Sequence, residues 1–566
     1  MSSIETKPVL IAGAGPAGLI AALSLTKFGV PVRIVEKLPA FHTATRGTGT
    51  QPRSLEIYRF LGLLDDYLRV AKPLPTMRSY KLPGGIEPLK TWKVVEHPTP
   101  TPDRPLVGES RVVLGQYRLE GIFRDHLAKH GVSIELSTEL VYFEQDVEGV
   151  TVTLKKNHVE EQARVAYVIG ADGARGVTRK LMGATFEGQT REEDGHVWAD
   201  VELEGLSPEF WHVWSEPGRF TVTIRATGDQ DGHFHVGIIG KNFDPGYLTD
   251  EEKFVNFIYE NTGRRDLQFK KFTSMNYWKP KMRMVNRLHS GRAFIVGDAA
   301  HIHSPTGGQG LNTSIQDSFN LAWKLALVHK GLASPELLAS FEAERLPVIA
   351  EMLATTTALY EHAVADKRHD QSKEQVAADM LGPMFLQWRN TSLSQLDINY
   401  RWSPIVFEAL GNGGLDDAAL KARAYIGYPG QPVHAGDRAP DAPELVDEMG
   451  QTTQLHEIFQ PTLHTFLLFL PETSRHDEEQ VDSIIQTVRT LPEATFQIIL
   501  VGRDNVSRSP DGTTAYKDTE GYAFGAYHVE GEQATVVAVR PDGYVGAFVY
   551  DAAGLRRYFS RIFLIA

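Results

Sequence analysis

Cysteine is missing from all 566 residues. Disulfides, thiolate metal sites, iron–sulfur clusters and cysteine nucleophiles are excluded together, and the absence fits a reducing compartment. Long apolar runs are missing too. None reaches the roughly 18 residues of a membrane span, and the apolar end Ile562-Phe563-Leu564-Ile565-Ala566 is far too short. The N-terminus has no apolar stretch behind a basic start, so no secretory signal is read there. A soluble, cytoplasmic protein is expected, with no membrane partner. Excess positive charge is also lacking. With a net charge of -13, the surface repels phosphate backbones, so no nucleic-acid partner is expected.

What is present is an ordinary folded composition: 42% hydrophobic, 23% charged and 10% aromatic residues, with no internal repeat. The length allows two or three domains, each with its own core. Val9-Leu10-Ile11-Ala12 reads as a buried strand. Gly13-x-Gly15-x-x-Gly18 follows, then a helix from Leu19 to Phe28 and a second strand, Val32–Glu36. This is a βαβ start. Gly13 permits a tight turn, Gly15 lets the backbone approach a pyrophosphate, and Gly18 lets helix and strand pack closely. Glu36 ends the second strand, where a carboxylate accepts from ribose hydroxyls and repels a 2′-phosphate.

Two later stretches have related character. Tyr167-Val168-Ile169-Gly170-Ala171-Asp172-Gly173 is a strand running into a turn, with Arg175 and Arg179 nearby; alone, it reads as a turn with solvated charges. Ala293-Phe294-Ile295-Val296-Gly297-Asp298 is a buried strand that delivers Asp298 at its end. Pro305-Thr306-Gly307-Gly308-Gln309-Gly310-Leu311-Asn312 then opens a helix, offering backbone N–H groups for negative charge. Between these motifs, residues 187–285 read as an inserted, largely antiparallel sheet rich in Trp, Phe and His. Residues 371–430 read as a mainly helical connection, and 431–566 as a separate small α/β domain. The discontinuous remainder, 1–186 and 286–370, forms a Rossmann-like domain.

The three motifs, in this order and spacing, resemble the class A FAD-dependent aromatic monooxygenases over residues 8 to 360. Gly436-Asp437-Arg438-Ala439-Pro440 and Arg540-Pro541-Asp542-Gly543-Tyr544 look like the C-terminal thioredoxin-like domain of the phenol hydroxylase branch. The resemblance implies FAD as cofactor and NADPH as reductant. Reduced FAD takes up O₂ to give a C4a-hydroperoxide, which attacks an aromatic, phenolic substrate. Decarboxylative or dearomatising hydroxylation and epoxidation use the same chemistry. Rival readings are an FAD-dependent dehydrogenase or reductase and a non-catalytic flavin-binding scaffold.

The resemblance also assigns residues. Gly13, Gly15, Ala17, Gly18, Glu36 and Lys37 hold the ADP half of FAD. Gln116, Arg46, Asp172, Gly297, Asp298, Gly308, Gly310, Leu311 and Asn312 hold the rest. Pro305 faces the flavin, and Arg179 is the candidate for the NADPH phosphate. Phenol hydroxylase carries a phenol-activating Asp where this chain has Thr48, and a hydroxyl is a poor base at neutral pH. Tyr277, His233 and His235 are candidate substitutes, each also readable as a packing or surface residue. Trp198, Trp211, Trp214, Phe220, Phe234 and Trp278 are core or pocket aromatics, with Trp214 and Trp278 the pocket candidates. His301-x-His303 has no carboxylate cluster to complete a metal site, so no metal is expected. Without a CxxC, the C-terminal domain has no dithiol role. A structural or homodimer-forming role remains, or a lid over the site.

Overall fold

The computed structural model describes residues 7–93, 99–216, 218–241, 244–304, 307–364, 393–411, 413–470, 475–503, 512–530 and 533–564. Pro305 lies outside them, as does the first part of the expected helical connection, 371–392.

The chain opens as its pattern predicts. β1 (Val9–Ala12) is buried on both faces and leads into α1 (Pro16–Lys27), then β2 (Val32–Val35). Proline sits in the first turn of α1, where its missing N–H costs nothing. Nine consecutive residues, Ala17–Leu25, are buried. Such a helix is apolar all round because it is covered on every side. Next come α2 (Pro52–Leu61), β3 (Thr76–Tyr80), β4 (Pro88–Trp92), α3 (Gln116–Lys129) and β5 (Tyr167–Gly170).

The inserted layer is a seven-stranded sheet. Its own strands are β6 (Asp194–Glu204), β7 (Phe210–Glu216), β8 (Phe220–Ala226), β9 (His233–Lys241) and β10 (Gln268–Trp278). α4 (Glu251–Thr262) lies between β9 and β10. The strand order is β10-β6-β9-β8-β7-β3-β4. The sheet therefore reaches back in sequence to recruit Thr76–Tyr80 and Pro88–Trp92, beyond the expected limits 187–285. β3 pairs parallel with β7, placing Met77 beside Trp211. At the expected boundaries, Glu187–Thr190 and Lys281–Met284 pair with each other in a separate small sheet.

The chain then returns to the first domain. β11 (Ala293–Ile295) pairs with β5, which pairs with β1. The central sheet runs 289–290, β11, β5, β1, β2, 134–135. Parallel neighbours bring the ends of β1, β5 and β11 to one edge, where ligands bind in open α/β sheets. α5 (Gly310–His329) packs against α1 and continues to α6 (Ala339–Val364).

The expected helical character of the connection does not hold for its described part. The described residues between 393 and 430 form turns and extended chain, with one short helix among them, Asp417–Lys421. Pro404 and the Gly411, Gly413, Gly414 cluster interrupt any helical run, all three glycines having positive φ. The C-terminal unit holds β12 (His464–Phe469), α7 (Arg475–Val488), β13 (Phe496–Gly502), β14 (Thr513–Lys517), β15 (Thr535–Val539), β16 (Val545–Val549) and α8 (Ala552–Phe559). Its eight-stranded sheet includes Phe407–Glu408 from the connection. Among the described residues, no helix is long and apolar enough to cross a membrane.

Candidate functional site

A cleft of about 550 Å³ opens at the shared edge of the central sheet. Its walls come from all three motifs: Gly13, Gly15 and Ala17, then Asp172, then Asp298 and Leu311. Glu36, Lys37, Arg46 and Gln116 complete the wall. The three sequence-distant stretches therefore meet in one place.

The first turn depends on glycine at two positions. Gly13 has φ +107°, and a Cβ there would lie 2.3 Å from the Ala171 carbonyl oxygen. A Cβ on Gly18 would lie 2.0 Å from the Gly13 carbonyl oxygen. Gly15 caps α1 without a side-chain hydrogen bond, and the first turn holds no acidic residue. Those backbone N–H groups remain available to an anion. The Glu36 carboxylate accepts from Ala14 N and Leu38 N, both at 3.0 Å. Each of its oxygens keeps a lone pair for a ribose hydroxyl. Asp172 braces its own turn: Oδ2 accepts from Thr178 N and Oγ1, both at 2.9 Å.

Asp298 follows Gly297, whose φ is +60°. A Cβ on Gly297 would lie 2.9 Å from Ser314 Oγ and 3.1 Å from Ala17 Cβ, so glycine lets α1 and α5 converge. The Asp298 side chain is exposed to the open cleft. Partial desolvation by the surrounding cleft wall pushes its carboxyl above the usual range, against the pull of His301 and Arg46. A carboxylate acceptor in the cleft suits the hydroxyl donors of a polyol chain. Gly297 N donates to Asp317 Oδ2 at 3.1 Å, and Arg345 Nε holds Oδ1 at 2.8 Å.

Asn312 and Gln309 fix the loop before α5. Asn312 Oδ1 accepts from Gln51 N at 2.8 Å, while Nδ2 donates to the Gly49 and Gly308 carbonyls at 3.0 and 2.8 Å. Gln309 and Gln51 both donate to the Gly307 carbonyl, at 2.7 and 3.0 Å. Gln395, from the connection, donates to Gln309 Oε1 at 2.6 Å. Asn312 thus acts as a strut, its side chain spent within the protein. Gly308 (φ +61°) shapes the loop, and a Cβ on Gly310 would lie 2.7 Å from His303 Nε2. Leu311 is the member of this group that reaches the cleft wall.

Arg46 lines the cleft from a loop pinned on both sides, with φ +44°. Thr45 N donates to Asp200 Oδ2 of the inserted sheet at 2.7 Å, and its carbonyl accepts from Gln116 N at 2.9 Å. Gln116 Nε2 donates to Glu120 at 2.8 Å. Thr48 is buried, and its hydroxyl accepts from Arg225 Nη2 at 3.1 Å.

Strand register sorts the remaining candidates. Side chains alternate across a sheet, and directly paired residues share a face. Asp194, His196, Trp198 and Asp200 lie on one face of β6; Val197, Ala199 and Val201 lie on the other, in a core with Phe254 and Ile258 of α4. Asp200 bonds Thr45 and Asp194 bonds Tyr360 of α6, so the Asp194–Asp200 face is turned to the first domain. His235 pairs with Asp200 and Trp278 with His196, so both share that face. His233 pairs with the exposed Glu202, at the margin of the same face.

Three expectations need correction. Trp214 pairs with Val222, lies in the α4-covered core with no exposure, and donates to the Gly85 carbonyl at 2.8 Å. It packs the sheet from behind and lines no pocket. Tyr277 pairs with Val197, on the face away from the first domain, and is 55% exposed at an edge strand. Phe220 and Phe234 also belong to the rear core. Arg179 is turned inward: its guanidinium donates to the Ala299 and Ala174 carbonyls at 3.0 and 2.8 Å and stacks on Phe186. Those bonds commit it to the protein's own backbone, which removes the basis for reading it as a phosphate ligand. Asp200, Gln51 and Gln309 escaped the sequence reading. For Asp200 the available signal was an acid at an inward position of an apolar strand. Among the described residues, no cluster of three or more His, Asp or Glu side chains is placed to hold a metal.

The sequence profile of a family described as an FAD binding domain matches residues 6–356. A flavin-dependent monooxygenase of Mycobacteroides abscessus is 30% identical over 559 residues, covering 98% of this chain and 99% of that one. Pentachlorophenol 4-monooxygenase of Sphingobium chlorophenolicum is 29% identical, over 62% of this chain and 64% of that protein. Among solved structures, the flavin-dependent monooxygenase PieE in complex with FAD and substrate superposes with a TM-score of 0.78 at 24% identity, covering 98% of this chain and 99% of that one. With the cleft, its glycine turn and Asp298 already in place, these matches settle the family: the chain belongs to the FAD-binding-domain family and is an FAD-dependent monooxygenase.

Proposed function

We propose that this enzyme oxygenates a phenolic aromatic compound, using NADPH as reductant, in a chamber between the flavin cleft and the inserted sheet. The observation that carries this reading is the course of β6. It is tied to the first domain at both ends, through Asp200–Thr45 and Tyr360–Asp194, each at 2.7 Å. The six residue steps from Asp194 to Asp200 span roughly 20 Å between the ties. Trp198 and His196 lie under that span, with Trp278 stacked on His196 at 4.3 Å. Flat aromatic walls suit a flat aromatic ligand.

Bound and reduced, FAD supplies the oxygen activation: one atom of O₂ goes to the aromatic carbon and the other to water. The chain's own residues do the rest. Glu36 and the α1 turn take the adenosine and pyrophosphate half, Asp298 the polyol chain, and the N-terminal backbone of α5 the ring. Glu36 repels a 2′-phosphate, which keeps NADPH out of the resident cofactor's place. Phenolic chemistry is also supported by the relative named for pentachlorophenol. NADPH rests on the family resemblance.

In the same reading the C-terminal unit is thioredoxin-like. What supports it is the order β16-β15-β12-β13, with β12 parallel to β13 and antiparallel to β15. Without cysteine it serves as a buttress: Arg53 of α2 donates to the Asp542 carbonyl at 2.6 Å.

The test is to load the protein with FAD and follow NADPH and isotope-labelled O₂ with a panel of phenols. Label in a hydroxylated product is the expected result. Flavin reduction without label in any product would make the protein a reductase and end this reading.

A further inference from the structure

Thr48 cannot serve as a strong base, and Tyr277 faces the wrong way. A phenol must nevertheless lose its proton before its ring is fully electron-rich. We propose that His235, oriented by Asp200, is the general base that takes the hydroxyl proton of the phenolic substrate. This rests on the functional reading above.

The two side chains stand opposite each other on β9 and β6, on the face turned to the first domain. His235 Nδ1 and Asp200 Oδ1 are 2.6 Å apart. The other carboxylate oxygen accepts from Thr45 N at 2.7 Å and Ser274 Oγ at 2.8 Å. Burial alone pushes the Asp200 carboxyl up, but the bonds from His235, Thr45 and Ser274 outweigh it and hold it well below the usual range. An ionised carboxylate only accepts, so the proton between the pair belongs to Nδ1. That fixes the tautomer and leaves the Nε2 lone pair free to take a proton, the logic by which a buried Asp orients a catalytic His.

The surroundings fit the task. Burial, and then Arg225, lower the His235 pKa against the pull of Asp200, so the ring is neutral at working pH and in the form that accepts. Among the described residues Nε2 makes no hydrogen bond, and it is not sealed off. Trp198 stacks on the ring at 4.9 Å and 13°, holding its plane. Arg225 lies opposite His235 in register and donates to Thr48, so a positive charge stands beside the place where phenolate charge would appear. Tyr117, bonded to Asp229, also feels the Asp200 charge, with Arg118 opposing it. Through Thr45 the pair is one residue from Arg46, which lines the cofactor cleft.

The step is a proton transfer. The phenol O–H bond breaks, an Nε2–H bond forms, and the electron pair stays on the phenolate oxygen. Asp200 stabilises the imidazolium until the proton leaves to water.

The experiment compares FAD-loaded wild type with His235→Gln and Asp200→Asn, using 4-nitrophenol as a binding probe. Below the probe's solution pKa, binding to wild type should produce the phenolate band. His235→Gln should bind the probe and keep FAD but lose the band. Its turnover of plain phenol should fall by roughly 100-fold or more, while turnover of pentachlorophenol, ionised already, stays within about 3-fold. Asp200→Asn, a positioning change, should move the pH of probe ionisation upward, which a loss of packing alone does not do. A phenolate band retained in His235→Gln, no band in wild type, or equal losses on both phenols would overturn the assignment. If wild type ionises the probe yet oxygenates no phenol, the functional reading fails while the base assignment stands.

Discussion

Arg540 of the C-terminal unit and Glu344 of α6 stand 196 positions apart and form a two-pronged ion pair, at 2.7 and 3.0 Å, with neither side chain exposed. Glu344 also accepts from Lys324, Asn320 and Ser403, each at 2.7 Å. Arg540 in turn holds Asp542, whose carboxylate accepts from Trp323 of α5 at 3.1 Å. The C-terminal unit is thereby keyed into the two helices behind the flavin loop.

Removing one partner of such a pair strands a buried charge. Arg540→Met should destabilise the protein by about 3–5 kcal/mol, read by urea unfolding, and should weaken FAD retention as α5 loosens. Acid should act on the same cluster. Burial pushes the Glu344 carboxyl up, but Arg540 and Lys324 overcome this and hold it far below the usual range. Its contribution is complete above the unfolded carboxylate pKa of about 4.5 and is lost as pH falls toward the lower folded value. The decline of unfolding free energy below that pH should be shallower in Glu344→Gln. An equal decline in both proteins would remove Glu344 from the acid response.

Asp298→Ala separates binding from folding. The carboxylate is exposed to the cleft, where partial desolvation already raises its pKa, so the fold loses little without it. Unfolding should shift by less than about 1 kcal/mol. FAD affinity should drop by at least about tenfold, the worth of one good hydrogen bond to a charged group. Titration calorimetry with FAD checks it, and normal FAD affinity would show that Asp298 does not meet the cofactor.

Gly13→Ala should fail for a local reason. The new methyl meets the Ala171 carbonyl at 2.3 Å, and φ +107° is closed to alanine. The turn between β1 and α1 must move, carrying the anion-facing N–H groups with it. FAD content after purification should fall to a small fraction of wild type. Gly15→Ala, with nothing within 4 Å of its Cβ, should fold normally and lose affinity only if FAD itself passes close to that position.

These contrasts explain what was legible in the sequence. Gly13, Gly15, Gly18 and Glu36 lie within one βαβ unit, so spacing alone places them. Asp298 was legible because a buried strand ends there. Trp214 was misread because β7 is buried on both faces. Alternation then cannot tell the front from the back; only its pairing with Val222 does. The recruitment of β3 and β4, the Gln309–Gln395 bond and the Arg540–Glu344 pair depend on contacts across tens to hundreds of residues, which no local pattern encodes. The Asp200–His235 pair falls between these cases. Each residue is visible, but the register that joins them is not.

His196 offers the sharpest stability test. It is 2% exposed, and among the described residues neither ring nitrogen has a hydrogen-bond partner. Such groups are rare in folded proteins and cost roughly 1–3 kcal/mol each. Burial lowers its pKa to about 3, so the ring is neutral in the folded protein at any ordinary pH. The unfolded chain protonates near pH 6.5, taking up a proton that the folded state refuses. Stability must therefore fall as pH drops from about 6.5 toward the folded value, where the difference ends. Phenylalanine keeps the stack on Trp278 and discards both polar atoms. His196→Phe should match or exceed wild type in unfolding free energy at neutral pH, and its stability should fall less between pH 6.5 and 4. FAD affinity should stay unchanged, because His196 lines no part of the cofactor cleft. A clear loss of stability at neutral pH would mean that the imidazole has a partner, and its burial would no longer be unpaid.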